Sequence, residues 1–217
     1  SAAGSSSTST PPSTTTTSVP TTAVSTSLDP VASTDLPTTT TLPPAVVLVV
    51  GDFGDGSNRE ASVAAAMRAY AANRDIEAFV TTGDNFYIDD VDAAWYEPFG
   101  WVEDAGIRVL ATWGNHDVET DTRRNAVQAA LDPPGWWYAE DIGPATLVVL
   151  DSNRVDDREQ LTWLEETLAT TEGPVVVSFH HPAHSCGWHG STESITELWV
   201  PLLRAAGVDL VLSGHSH

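Results

Sequence analysis

An α/β fold is what the sequence predicts, on three observations. Five short apolar runs, rich in β-branched residues, each end on a Gly-Asp, Gly-Asn, Gly-His or His-His pair. Segments of helical hydrophobic period lie between several of these runs. In open α/β sheets ligands gather beyond the carboxyl ends of strands, so five such ends carrying Asp, Asn and His point to one main crevice. The alternation alone supports the α/β class and no finer architecture.

Residues 1–44 stand apart from that pattern. They hold 31 Ser, Thr or Pro residues, two charges (Asp29 and Asp35) and no aromatic, too little apolar surface to offset the entropy of ordering. They read as a disordered Ser/Thr/Pro-rich stalk, and 45–217 as one folded domain. Such composition suits an O-glycosylated spacer and equally an unmodified linker. The first favours a secreted, cell-surface or wall-associated protein, with the stalk as the means of cell-wall association.

The first apolar run, Ala45–Val50, reads as a buried strand feeding a loop at Gly51-Asp52. Ser57 and Glu60 have capping-box spacing, and Val63, Met67, Tyr70 and Ala71 recur with helical period as far as about Asn73. Ala78–Thr82 is the next strand, ending at Gly83-Asp84, and Ile107–Trp113 the third, ending at Gly114-Asn115. Tyr138–Ile142 and Ala145–Asp151, separated by Gly143-Pro144, predict an antiparallel pair. Asp157–Thr170 predicts a helix with Leu161, Leu164 and Leu168 on one face, and Thr192–Ala206 a second helix interrupted by Pro201. Val175–Phe179, ending at His180, and Val208–Ser213, ending at Gly214-His215, complete the strands.

Thirty acidic residues against nine arginines and no lysine give a formal net charge of −21. A basic nucleic-acid-binding face is thereby excluded. An acidic surface repels anions at long range, so phosphate chemistry here needs a strong local positive charge of the kind bound metal ions supply. Cys186 is the only cysteine, so the chain forms no internal disulfide and no thiolate cluster of its own. No run approaches the ~20 apolar residues that span a bilayer, and no charged start followed by an apolar stretch marks a signal peptide.

Singly, a Gly-Asp or Gly-Asn pair after a strand also serves as an ordinary turn. Jointly the blocks say more: Gly51-Asp52, Gly83-Asp84-Asn85-Phe86-Tyr87, Gly114-Asn115-His116-Asp117, His180-His181-Pro182 and Gly214-His215-Ser216-His217. Two metals a few ångströms apart need a bridging carboxylate, neutral oxygen and imidazole ligands, and open positions for water and phosphate. These residue types are that mixture.

With these five blocks in this order, the chain resembles the calcineurin-like metallophosphoesterase superfamily over residues 45–217. The resemblance implies a four-layer α-β-β-α sandwich of two packed mixed sheets, C-terminally incomplete at His217. It implies Asp84 as the bridge, with Asp52, Tyr87 and His217 at one metal and Asn115, His180 and His215 at the other. Most relatives carry Asp-x-His in the first block, where this chain has Asp52-Phe53-Gly54, one ligand short. Tyr87, three residues after Asp84, is the replacement that marks the purple acid phosphatase branch of the tartrate-resistant type, where tyrosinate binds ferric iron; otherwise it reads as a core or rim aromatic.

The resemblance therefore implies Fe(III) with a second Fe, Zn or Mn, and hydrolysis of phosphate monoesters by attack of metal-bound hydroxide. His116 matches the position that contacts phosphate and protonates the leaving oxygen. His189 matches a second such histidine, or is an ordinary loop residue. Asp117 is expected to orient His116. His181 and His184 read either as pocket-lining or as structural. Asp55 and Asp89-Asp90 read as loop charge, Trp136-Trp137 as packing, and Trp188 as packing or pocket rim. A phosphodiesterase or nucleotide hydrolase on the same fold, and a non-catalytic surface-binding module, are the alternatives.

Overall fold

The computed structural model describes residues 44–217, so the expected stalk, apart from Pro44, lies outside the described residues. Val47–Val50 (β1), Ala78–Thr81 (β2) and Val109–Leu110 (β3) form a parallel sheet in that order. Tyr138–Ile142 (β4), Ala145–Val149 (β5), Val175–Ser178 (β6) and Leu210–Leu212 (β7) form a second sheet, antiparallel between β4 and β5 and parallel thereafter. The helices are Asn58–Ala71 (α1), a π-helical turn at Asp92–Tyr96 running into Glu97–Phe99 (α2) and Trp101–Asp104 (α3), then Asn115–Val118 (α4), Asp121–Ala130 (α5), Arg158–Thr170 (α6) and Glu193–Ala206 (α7).

Side chains alternate across a strand, and that alternation builds the layers. Phe79 of β2 faces a cluster with Phe53, Trp95, Phe99 and Trp101 on the side of α1 to α3. Its neighbours Ala78 and Val80 face the opposite way, against Leu147 and Val149 of β5 and Tyr138 and Ile142 of β4. Val148 and Val177 point on to a third cluster with Leu164 of α6 and Ile195, Trp199 and Leu203 of α7. Three apolar interfaces thus separate four layers, helix, sheet, sheet, helix, as the resemblance implies. Between the sheets, Thr112 Oγ1 lies 2.7 Å from Ser178 Oγ, and the Tyr138 hydroxyl donates to the Ala111 carbonyl at 2.9 Å.

Several elements differ from expectation. The first sheet is wholly parallel among the described residues; only the second is mixed. The third strand pairs over two residues rather than seven, because beyond Leu110 the Thr112 amide donates to Thr81 Oγ1 and the chain leaves the ladder. In α1 the core stripe is Glu60, Ala64, Met67 and Ala71, whereas Val63 and Tyr70 are exposed. The capping box is half formed: Ser57 Oγ accepts from the Glu60 amide, but the Glu60 carboxylate turns inward to accept from the amides of Gly54 and Gly56. Pro201 does not interrupt α7. Pro201 and Glu197, whose carbonyl loses its helical partner, are both exposed, which lets water serve that carbonyl. The turns over Asp92–Asp104 and the helix α5, capped by Thr120, carry no expectation from sequence.

Asp157 caps α6, its Oδ1 accepting from the amides of Glu159 and Gln160. Replacing it with Ala should lower unfolding free energy by about 1 kcal/mol. Trp199→Ala, at the fully buried centre of its cluster, should cost roughly 3–5 kcal/mol. Urea denaturation of both variants tests the ranking, and equal losses would contradict it.

Candidate metal centre

The loops after β1, β2, β3, β6 and β7 meet at one end of the sandwich. Asp52, Asp84 and His215 each take a left-handed backbone there, with φ of 55°, 51° and 69°, which costs a non-glycine residue about 1 kcal/mol or more. Cross-loop bonds hold these turns: the Asp52 amide donates to Gly83 O, and the Phe53 amide to Asp84 O. The His215 amide donates to both Asp52 carboxylate oxygens, at 2.8 and 3.0 Å. Glycine is required where these loops touch. A Cβ on Gly114 would collide with the Asp84 amide and carboxylate, and one on Gly83 would sit 2.7 Å from His180 Nδ1.

Asp84 is the hub, 2% exposed. Its Oδ1 accepts from the His116 amide at 2.8 Å; its Oδ2 lies 3.2 Å from His180 Nε2 and accepts from the Tyr87 hydroxyl at 3.1 Å. Tyr87 also stands 3.5 Å from Asp52 Oδ1 and 3.1 Å from His217 Nε2. His217 Nε2 is 3.5 Å from Asp52 Oδ1. On the other side, His215 Nδ1 is 3.2 Å from His180 Nε2, and donor atoms of Asp84, His180 and His215 all lie within 4.8 Å of one another. Asn115 immediately precedes His116, and its Oδ1 is buried with no hydrogen-bond partner among the described residues.

The electrostatics follow from this crowding. Burial pushes the Asp84 carboxyl up, but the hydrogen bond and charge of His180 and the His116 amide outweigh it and leave the group below its ordinary value. Burial lowers His180, and Asp84 more than reverses that. Burial, then His180, lowers His215. Burial, then His180 and His215, lowers His181 to about 4. Burial and the carboxylates of Asp84 and Asp52 push the Tyr87 hydroxyl well above its usual range. A bound cation would reverse the sign of that last effect.

The donor set fits a metal centre. Asn115 Oδ1 is an orphaned buried acceptor, which otherwise costs about 1–3 kcal/mol. His180 Nδ1 faces the Thr82 carbonyl at 2.9 Å, so its proton is committed there and Nε2 presents a lone pair. Carboxylate, phenol, amide and imidazole donors suit iron, zinc or manganese alike.

All nine predicted site residues lie around this hub. Besides the seven donors, the His116 ring is 4.6 Å from that of Tyr87, and the His189 ring 4.2 Å from that of His215. Asp117 does not orient His116. It is fully buried and accepts from the amides of Gly114, Asn85 and Phe86 and from Asn85 Nδ2. It therefore braces the Asp84 loop from behind. Glu119 stands at His116 instead, its Oε2 3.2 Å from Nδ1. Its i,i+3 spacing on α4 is the signal that would have found it. His181 packs against His180 and His215 and is held by Ser152, while His184 lines a separate groove beside α7. Asp89 pairs with Arg123 at 3.4 Å. Trp136 packs on Trp113, and Trp188 is 94% exposed among the described residues.

Residues 45–217 match the family described as calcineurin-like phosphoesterase. Purple acid phosphatase 17 of Arabidopsis thaliana is 25% identical over 208 residues, covering 78% of this chain and 61% of that protein. A probable cyclic nucleotide phosphodiesterase of Fibrobacter succinogenes is 26% identical over 151 residues, covering 66% of this chain and 59% of that protein. A solved structure described as GAP50, the anchor in the inner membrane complex of Plasmodium, superposes with a TM-score of 0.65 at 19% identity, covering 78% of this chain and 65% of that one. At that identity the likeness shows the fold alone. The chain spans about six tenths of the length of the curated relatives it matches.

Asp117→Asn would turn an amide NH2 towards donors that now find a carboxylate. The expected loss is roughly 2 kcal/mol of stability, as for a buried hydrogen-bond network broken at one member. Thermal and urea unfolding check this, and an unchanged midpoint would remove Asp117 as the brace.

Proposed function

We propose that this chain, which belongs to the calcineurin-like phosphoesterase family, hydrolyses phosphate monoesters at a dinuclear metal centre, a reading that relatives named purple acid phosphatases support. The observation that carries the reading is Tyr87, whose hydroxyl stands 3.1 Å from both Asp84 Oδ2 and His217 Nε2. A phenol set among two carboxylates, its proton harder to lose for their presence, makes chemical sense as the seat of a highly charged cation.

In this assignment Asp52, Tyr87 and His217 would hold one ion and Asn115, His180 and His215 the other, with Asp84 shared between them. Ferric iron would suit the tyrosine side, with iron, zinc or manganese as its partner. When bound, such ions supply positive charge to phosphate oxygens and acidify water. The chain's own groups do the rest. Glu119 engages His116 Nδ1, so His116 Nε2 is the atom left to meet phosphate and pass a proton to the leaving oxygen. His189, against His215, offers a second imidazole to the substrate. The net charge of −21 confines anion attraction to this one place.

A second reading, phosphodiester hydrolysis, is favoured by the relative named a probable cyclic nucleotide phosphodiesterase. The composition of residues 1–44 supports a location outside the cell or on its wall; a glycan stain and fractionation of the producing cells test this.

Iron-reconstituted protein should show a broad visible charge-transfer band that Tyr87→Phe abolishes. Stoichiometric iron without such a band would remove Tyr87 from the ligand set. Asp84→Asn should weaken metal binding by more than about 100-fold, since loss of mere outer-shell partners already costs about 10- to 100-fold. Turnover of an aryl monoester faster than the matching diester supports the monoesterase reading, and the reverse order supports the second. Metal uptake without turnover of either ester would favour a binding module.

A further inference from the structure

Two adjacent histidines follow β6, and their ring nitrogens are committed in opposite senses. His180 gives its Nδ1 proton to the Thr82 carbonyl and keeps a lone pair on Nε2. His181 Nδ1 instead lies 2.8 Å from Ser152 Oγ, and that oxygen also accepts from the His181 amide at 3.0 Å. Ser152 is buried, and its hydroxyl proton has no other acceptor among the described residues. Donation of that proton to His181 Nδ1 leaves the imidazole's own proton on Nε2. One ring is built to bind a cation; its neighbour is built to donate a hydrogen bond.

His181 also walls a cavity of about 480 Å³ together with Ser152, Asn153, Asp156, Thr192 and Ser194. The cavity borders the metal-ligand cluster. The His181 ring is 4.5 Å from that of His215, and Asn153 Nδ2 donates to the carbonyl of Gly114, the residue before Asn115. Its lining is hydroxyl, amide and imidazole, with Val155 the one apolar member. Thr192, at the N-cap of α7, makes no side-chain capping bond, so its hydroxyl is uncommitted. The one carboxylate, Asp156, repels a second anionic group and accepts from a hydroxyl.

We propose that this cavity is the subsite for the alcohol part of the phosphate ester, selecting a neutral, hydroxyl-bearing group such as a polyol, with His181 donating from Nε2 and Ser152 positioning its ring. The proposal rests on the phosphoesterase reading of the adjoining centre. It adds a substrate class to that reading: esters of polyols in preference to simple alkyl phosphates and to compounds with a second phosphate.

Calorimetric titration of the zinc-loaded 217-residue protein with glycerol 2-phosphate and with methyl phosphate tests it. The polyol ester should bind about tenfold more tightly, as one or two extra hydrogen bonds allow. In the Thr192→Val, Ser194→Ala double variant that ratio should fall to about one. Neither substitution removes a helix cap, so folding should survive. Nitrogen NMR of imidazole-labelled protein should show His181 as the Nε2–H tautomer, shifted towards a mixture by Ser152→Ala. Equal affinities in the wild type, an unchanged ratio in the double variant, binding of neither ester, or His181 as the Nδ1–H tautomer would each overturn the subsite. Preference without any hydrolysis would support the subsite and sink only the proposed reaction.

Discussion

Burying a carboxylate at the junction of five loops imposes the constraint that shapes this end of the molecule. Asp84 is removed from water, so each of its oxygens must be met by donors or cations. The His116 amide and the Tyr87 hydroxyl donate to them, and a cation shared with His180 Nε2, 3.2 Å from Oδ2, would complete the set. For those groups to come close enough, Gly83 and Gly114 must lack side chains, and Asp117 must hold the Asn85 and Phe86 amides from behind. The left-handed turns at Asp52, Asp84 and His215 are the strain this arrangement carries.

The sandwich makes that junction possible. Two sheets packed face to face bring the carboxyl ends of β3 and β6 side by side, and the contact between Thr112 and Ser178 fixes them just below the site. Donors as far apart in the chain as Asp52 and His217 thereby share one cluster. The large aromatics Trp95, Phe99 and Trp199 sit in the two outer clusters, so, Tyr138 apart, the inner interface is left to aliphatic residues and the sheets can approach.

Much of this was legible in the sequence, for a physical reason. A strand that ends on glycine plus a polar residue announces both its direction and its cargo, so Asp52, Asp84, Asn115, His180 and His215 could be placed without any contact information. The α6 stripe was equally open, because Leu161, Leu164 and Leu168 keep one phase. Residues whose role depends on a partner from elsewhere were not. Asp117 follows His116 in sequence but faces the opposite way, towards Asn85. Val63 and Tyr70 keep the helical period yet lie one position off the stripe occupied by Ala64, Met67 and Ala71. Ser152 touches an imidazole 29 residues away through geometry that only the folded loops create, whereas Glu119 was within reach of the i,i+3 spacing.

The bond from the His215 amide to the Asp52 carboxylate has a kinetic side. It joins the loop after β1 to the loop after β7, and closing so long a stretch of chain carries a large entropic cost. The β1-α1-β2 segment carries Asp52, Asp84 and Tyr87 within 36 residues and can assemble locally. An ion captured first by that segment would later receive His217 across the same gap and act as a staple between two distant stretches of chain, much as a crosslink does. Occupancy of the centre would then register as slower unfolding more than as faster folding, since the closing contact is among the last made and the first lost.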